Sequence, residues 1–245
     1  MNLRERVQAG IDGKFQGLSN GLQRANEYLF GIQRGTYYLL GGLSGTYKSM
    51  LCDFMVQNAI RDAKNQGVEC NVHYYSFEID GLSKRCNWLA NAVYHKYTEV
   101  IPTEKIKGMG DLRLTKDEQM MVDSCIDEVD AEMDKIHFRF DSTNPTGIYH
   151  ELWKFAESKG KIIYENYTDS NGEIKQKVVG YHPDTPDAYN IIVLDHAALA
   201  KKERGFQTKE VIDKLSEYFI NLRNLFGFTI ILVQQFNQGL SSIER

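Results

Sequence analysis

The chain has 245 residues, 42% of them apolar, which fits one large α/β domain, or a domain with a small appendage, built on a sizeable core. Its net charge of −4 excludes a uniformly basic nucleic-acid binder while leaving room for a local basic lining. Cys52, Cys70, Cys86 and Cys125 form no Cys-x-x-Cys pair and the six histidines stand singly, so the sequence reads as free buried thiols in a reducing compartment, not a disulfide frame or zinc site.

The first residues, Met1 to Arg6, lack the apolar stretch of a secretion signal, and no segment approaches a membrane span. A soluble intracellular protein is expected. Residues 3–9 fit a short helix, while 13–26 mix turn residues with isolated apolar ones. The segment 1–36 reads as a lead-in arm that packs on a neighbour, or as a frayed terminus.

Tyr37 to Leu40 is a short apolar run of the buried-strand type. It runs into Gly41-Gly42-Leu43-Ser44-Gly45-Thr46-Tyr47-Lys48-Ser49, which opens a helix with apolar residues at i, i+3 and i+4 spacing over 49–63. Strand, glycine-rich turn and helix in this order form a phosphate-binding loop. Backbone amides of such a turn and the helix N-terminus face the phosphates. Lys48 would meet the β- and γ-phosphates, and the Ser49 hydroxyl would ligate Mg²⁺. The pattern G-x-x-x-x-G-K-[ST] fits from Gly42 except at Tyr47, where a side chain restricts the backbone and Gly45 is left to supply the freedom. The alternative is a glycine-rich turn carrying an ordinary surface lysine.

A second strand is expected over 70–77, ending in Glu78, then a helix over 82–97 with Leu89, Ala92, Val93 and Tyr97 on its apolar face. Residues 102–114 read as a loop. Thr115 and Glu118 form a capping box that starts a helix to about residue 135, whose acidic face is a solvated surface. A third strand spans 136–140, and Asn144-Pro145 starts the next helix, ending near Gly160. Two β-rich polar runs flank Asp169-Ser170-Asn171-Gly172 over 161–180, a hairpin projecting from the core. Ile191 to Leu194 is a fully apolar strand ending in Asp195. A basic loop with Lys201, Lys202 and Arg204 follows, then a strongly amphipathic helix over 211–226, a last strand over 228–233, and Gln234-Gln235-Phe236-Asn237. Alternating strands and helices predict a mainly parallel twisted sheet with helices on both faces.

In such a sheet ligands bind beyond the carboxyl ends of the strands. That edge would gather Lys48, Ser49, Glu78, Asp195 and Gln235. Each of Glu78, Asp195 and Gln235 alone reads as a capping, turn or solvated residue. Together they suit nucleotide hydrolysis. Asp195 would hold the Mg²⁺ shell, Glu78 would activate water, and Gln235 would bond near the γ-phosphate.

With these motifs in place, the chain resembles the C-terminal ATPase domain of DnaB-type replicative helicases, within the RecA-like P-loop ATPases. The resemblance runs over about residues 17–240. It rests on Gly17-Leu-Ser-Asn-Gly21, Gly31-Ile-Gln-Arg-Gly35, Gly42 to Ser49, Tyr75-Ser-Phe-Glu78, Arg85 in the next helix, Ile191 to Asp195, and Val233-Gln-Gln-Phe-Asn237. It implies an ATP-dependent, Mg²⁺-dependent motor with catalytic Lys48, Glu78 and Gln235. Nucleotide binding falls to Gly42, Leu43, Ser44, Gly45, Thr46, Tyr47, Lys48, Ser49 and Arg85, with Ser49 and Asp195 on the metal. It also implies a hexameric ring that threads single-stranded DNA and works with primase or other replisome proteins in the cytoplasm of a bacterial or phage-infected cell. Residues 1–16 would be an arm or linker helix passed to a neighbour. Lys201, Lys202 and Arg204 are the candidate DNA contacts, with a solvated basic loop as the alternative. Phe206 could stack a base, against a core or interface role. The family's arginine finger lies beyond its sensor motif, so a chain ending at Arg245 would be a truncated piece or a reduced relative. Two other classes stay open: another RecA-like motor, such as a recombinase or packaging ATPase, and a nucleotide-binding interaction module without efficient hydrolysis.

Overall fold

The alternation of apolar residues along two neighbouring strands sorts the core into two layers. The structure, a computed structural model, describes residues 3–12 and 16–236. In chain order its elements are helix α1 (Leu3–Ile11), α2 (Gln23–Leu29), strand β1 (Tyr37–Gly42), α3 (Lys48–Gln66), β2 (Cys70–Ser76), α4 (Gly81–Tyr97), α5 (Thr103–Ile106), α6 (Lys116–Met133), β3 (Ile136–Arg139), α7 (Pro145–Ser158), β4 (Gly160–Thr168), β5 (Ile174–Pro183), β6 (Tyr189–Asp195), a 3₁₀ turn (Ala197–Leu199), α8 (Thr208–Phe226) and β7 (Thr229–Gln235).

Five strands form one parallel sheet in the order β1-β7-β6-β2-β3. Successive side chains of a strand face opposite sides. Ile191, Val193, Ile231 and Val233 therefore join the core shared with α3, α4 and α6. Ile192, Leu194, Ile230 and Leu232 join the core shared with α7 and α8. The fold is α/β, with helices on both faces of a parallel sheet, as the alternation predicts. No helix among the described residues is long and apolar enough to cross a membrane.

Register brings the strand ends level. Gly42 pairs with Gln235, and Ser76 with Asp195. The phosphate-loop candidate, the segment after β2 and the ends of β6 and β7 thus share one edge.

Several local expectations are corrected. The run 102–114 contains a short helix, α5, seated after Pro102, whose fixed φ suits a helix start. A helix, α2, also forms across the end of the segment read as turn residues mixed with isolated apolar ones, closed by Phe30 in the left-handed region. Leu18 and Ile32 pair in an antiparallel bridge and are fully buried, so this segment contributes to the core. On α4, Leu89 packs against the core as expected, but one residue of the expected face does not. Trp88, Ala92 and Val93 are buried, whereas Tyr97 is exposed. Met50, Leu51 and Ile126 also lie on exposed surface. Cys52 and Cys125 are buried free thiols, but Cys70 and Cys86 are only half-buried.

The hairpin forms as β4 and β5. Its turn is held by the Asp169 carboxylate, which accepts hydrogen bonds from the amides of Asn171 and Glu173 at 2.8 and 3.0 Å. The hairpin is anchored at its base, where Ile162 and Tyr181 pack on the α7–α8 side. Tyr164, Tyr167, Ile174 and Val179 are exposed along it.

Candidate functional site

The turn after β1 is wound tightly. A Cβ on Gly42 would come within 2.8 Å of the Thr46 hydroxyl, so a larger residue there would have to displace the Thr46 side chain. Thr46 and Lys48 both reach back to the Leu43 carbonyl, the Thr46 hydroxyl donating at 2.8 Å and the Lys48 ammonium at 2.6 Å. Gly45 adopts a left-handed φ of 73°. Tyr47 does so too, with φ 56° and ψ 27°, as the residue that caps α3. The sixth loop position therefore keeps the conformation glycine favours, with tyrosine occupying it. Lys48 and Ser49 form the first turn of a 19-residue helix, whose N-terminal amides favour an anion.

Strand register carries the remaining groups to this loop. Asp195, fully buried at the end of β6, accepts a hydrogen bond from the Ser49 hydroxyl at 3.0 Å on Oδ1. The following peptide, Asp195–His196, is cis. Glu78 sits beyond β2, and its Oε2 lies 3.9 Å from His196 Nε2. Gln235 closes β7 beside Gly42. Together Ser44 to Met50, Glu78, Ile79, Asp195, His196, Val233 and Gln235 line a cleft of ≈ 330 Å³. The preceding glutamine, Gln234, faces the other way, into a groove with Leu39 and Ile220. This is the strand alternation at work. Asn237, the last residue of the quoted motif, lies outside the described residues.

The donor set fits a small hard cation. Ser49 and Asp195 offer oxygen ligands in contact with each other, the chemistry Mg²⁺ prefers, next to a lysine and a helix N-terminus suited to phosphate.

Arg85 does not line the cleft. It pairs with Asp130 on α6, on the outer side of α4. Its chain neighbour Lys84 points inward instead. Lys84 is fully buried and donates to Asp53 Oδ1 at 2.8 Å, the Tyr74 hydroxyl at 2.9 Å and Asp195 Oδ2 at 3.4 Å. Burial opposes its charge, but the carboxylates of Asp53 and Asp195 outweigh it and hold its pKa above the ordinary lysine value. The sequence reading missed Asp53, Tyr74, Lys84 and His196. One signal was available: Lys84 precedes the buried Trp88 and Ala92 at spacings of four, on the inward stripe of α4.

Lys201, Lys202 and Arg204 are exposed on the loop after β6. Glu203 fastens that loop, accepting from the Thr146 amide at 3.0 Å and the Lys214 ammonium at 2.5 Å. Phe206 packs at the edge of the core, with the Lys214 ammonium 5.2 Å from its ring centre. Parallel pairing also sets His73 beside His137, and with Glu151 their ligand atoms lie within 4.8 Å of one another. Glu151 there is already paired with Arg139 at 3.0 Å and His137 at 3.2 Å.

No protein-family model and no curated protein matches the sequence. Among solved structures, the chain is similar to a DnaB-like replicative helicase studied with its interactions with primase. The TM-score is 0.68 at 12% identity, over 100% of this chain and 51% of that one. It is also similar to a second solved structure, described as an ATPase domain, with a TM-score of 0.66 at 12% identity, over 99% of this chain and 74% of that one. The chain thus spans about half the length of the first neighbour. At this identity the likeness is one of fold: the chain shares the α/β architecture of both neighbours.

Proposed function

We propose that this chain is an ATP-hydrolysing motor domain of the DnaB-type helicase kind, acting on single-stranded DNA. One observation carries the reading: the Ser49–Asp195 contact at 3.0 Å lies in a cleft that Lys48, Glu78 and Gln235 also line. The likeness of fold supports the same reading.

In this reading the Lys48 ammonium exchanges the Leu43 carbonyl for the terminal phosphates of ATP, and the amides of Ser44 to Ser49 surround them. Ser49 and Asp195 hold Mg²⁺, which when bound offsets charge on the phosphate oxygens. Glu78 accepts the proton of the attacking water. Gln235 donates a hydrogen bond near the γ-phosphate and communicates its loss through Phe236, whose amide donates to the Gly42 carbonyl at 2.9 Å. Arg85 is given no part, because its partner is Asp130. A DNA strand, further copies of the chain in a ring and a primase are the partners this reading assigns; the first neighbour is described together with primase.

The test is binding of a fluorescent ATP analogue, followed by ATP turnover with and without single-stranded DNA. Lys48→Ala should weaken binding by tenfold or more. Single strands should accelerate turnover. Absence of nucleotide binding, or binding indifferent to Lys48→Ala, overturns the proposal. The left-handed Tyr47 favours a second reading, a module that binds nucleotide without efficient turnover. Nucleotide binding without turnover, unchanged by Glu78→Gln, would select it.

A further inference from the structure

We propose that Lys84 is a positioning residue for the cation site, fixing the Asp195 carboxylate so that Oδ1 faces Ser49 and Oδ2 is turned away. The inference rests on the nucleotide reading above and adds a residue to it.

The Asp195 carboxylate is held at both oxygens. Ser49 donates to Oδ1 at 3.0 Å and Lys84 to Oδ2 at 3.4 Å. Lys84 itself has no freedom to wander. Its other contacts are Asp53 Oδ1 at 2.8 Å and the Tyr74 hydroxyl at 2.9 Å, and Tyr74 donates in turn to Asp53 at 2.8 Å. An ammonium has three donors, and here each has an acceptor. The four residues come from α3, β2, α4 and β6 and are fully buried, so the helix after the phosphate loop, the helix after Glu78 and the strand carrying Asp195 meet at one cation. Burying a charge is expensive, and an apolar side chain of similar length would pack the same space. What an apolar chain could not do is fix the rotation of a carboxylate. Partners that orient a metal ligand typically change metal affinity by 10–100-fold when removed.

The alternative is that Lys84 only neutralises Asp53. Lys84→Met combined with Asp53→Asn separates the two, because it removes the cation and the acid together. The probe is a fluorescent ATP analogue, titrated with Mg²⁺, with folding checked by thermal unfolding. The double variant should need about tenfold more Mg²⁺ for half-maximal nucleotide binding, while its affinity without Mg²⁺ stays within about twofold of wild type. Asp53 does not reach the cleft, so Asp53→Asn alone, which leaves the ammonium on Asp195, should keep the wild-type Mg²⁺ requirement. An unchanged or lower requirement in the folded double variant overturns the inference while leaving the nucleotide reading intact. A tenfold rise in Asp53→Asn overturns it equally, whether or not the double variant folds. If wild type binds no nucleotide, the nucleotide reading fails first and this inference with it.

Discussion

Tyr47 pairs an ordinary side chain with an unusual backbone. It is 75% exposed, so its ring contributes little packing, yet it holds φ 56°. For an L-residue with a Cβ that conformation costs on the order of 1–2 kcal/mol, while glycine would lose somewhat more chain entropy. Tyr47→Gly should therefore stabilise the fold by about 1 kcal/mol, read as a higher urea midpoint with unchanged slope. An equal or lower midpoint would mean that the tyrosine ring makes a contact worth more than the backbone loses. Glu78 makes the complementary residue-scale case. Its side chain is half-exposed, and His196 stands 3.9 Å from it. Glu78→Gln should leave folding and nucleotide affinity unchanged and lower turnover by roughly 10²–10⁴-fold, measured as phosphate release under saturating ATP. Loop residues such as Gly42, Lys48 and Ser49 were legible in the sequence because spacing along one turn dictates their geometry. Lys84 and Asp53 were not. Asp53 lies beyond the turn motif that opens α3, Lys84 shows only its place on the inward stripe of α4, and it is the packing of α3 and α4 on β2 and β6 that brings the two together.

Elements were legible where burial leaves its own pattern, continuous for a strand covered on both faces and periodic for a helix covered on one. The continuous apolar run of β6 and the i, i+3, i+4 stripe of α8 needed no tertiary information. α2 and α5 lacked such a stripe and were hidden among turn residues. β2 was found, but not what its middle carries. His73 faces α7, its ring 4.2 Å from that of Phe155 and 4.8 Å from that of His137. Burial, then the charges of His137 and Lys159, pull its pKa down to about 4. In the unfolded chain a histidine takes up its proton near pH ~6.5. Between those values the unfolded state binds more protons, so stability is fully present above about pH 6.5 and is lost as the pH falls toward about 4. At about pH 4.5 the loss from this one group is roughly 2–3 kcal/mol. His73→Phe keeps a ring against Phe155 and removes the titration. Urea unfolding at about pH 7 and about pH 4.5 should show a smaller acid loss in the variant than in wild type by that amount. Equal losses would mean that His73 is protonated in the folded state without penalty.

For the molecule as a whole, a net charge of −4 means that any attraction for a DNA strand must come from where cations are gathered. The loop after β6 leaves the sheet at the same edge as the glycine-rich turn after β1, since both follow strand carboxyl ends. On it Lys201, Lys202 and Arg204 are exposed, while the single acid between them, Glu203, is occupied by Lys214 and the amide of Thr146. The loop is thus held in place by its acid and leaves its cations facing solvent, an arrangement suited to phosphate contacts that need no base recognition. Each phosphate neutralised on a single strand contributes about 0.7 to the slope of log affinity against log salt. Replacing Lys201, Lys202 and Arg204 together by Ala should weaken single-strand binding, flatten that slope by about 2, and leave nucleotide affinity as it was. The measurement is fluorescence anisotropy of a labelled oligothymidine across a salt series. A weaker complex with the original slope would mean that the loop acts through shape, and an unchanged complex would move the strand to another surface. Either outcome would leave the cleft at Lys48 and Asp195 where it is, because Glu203 and its partners, which hold the loop, remain in the variant.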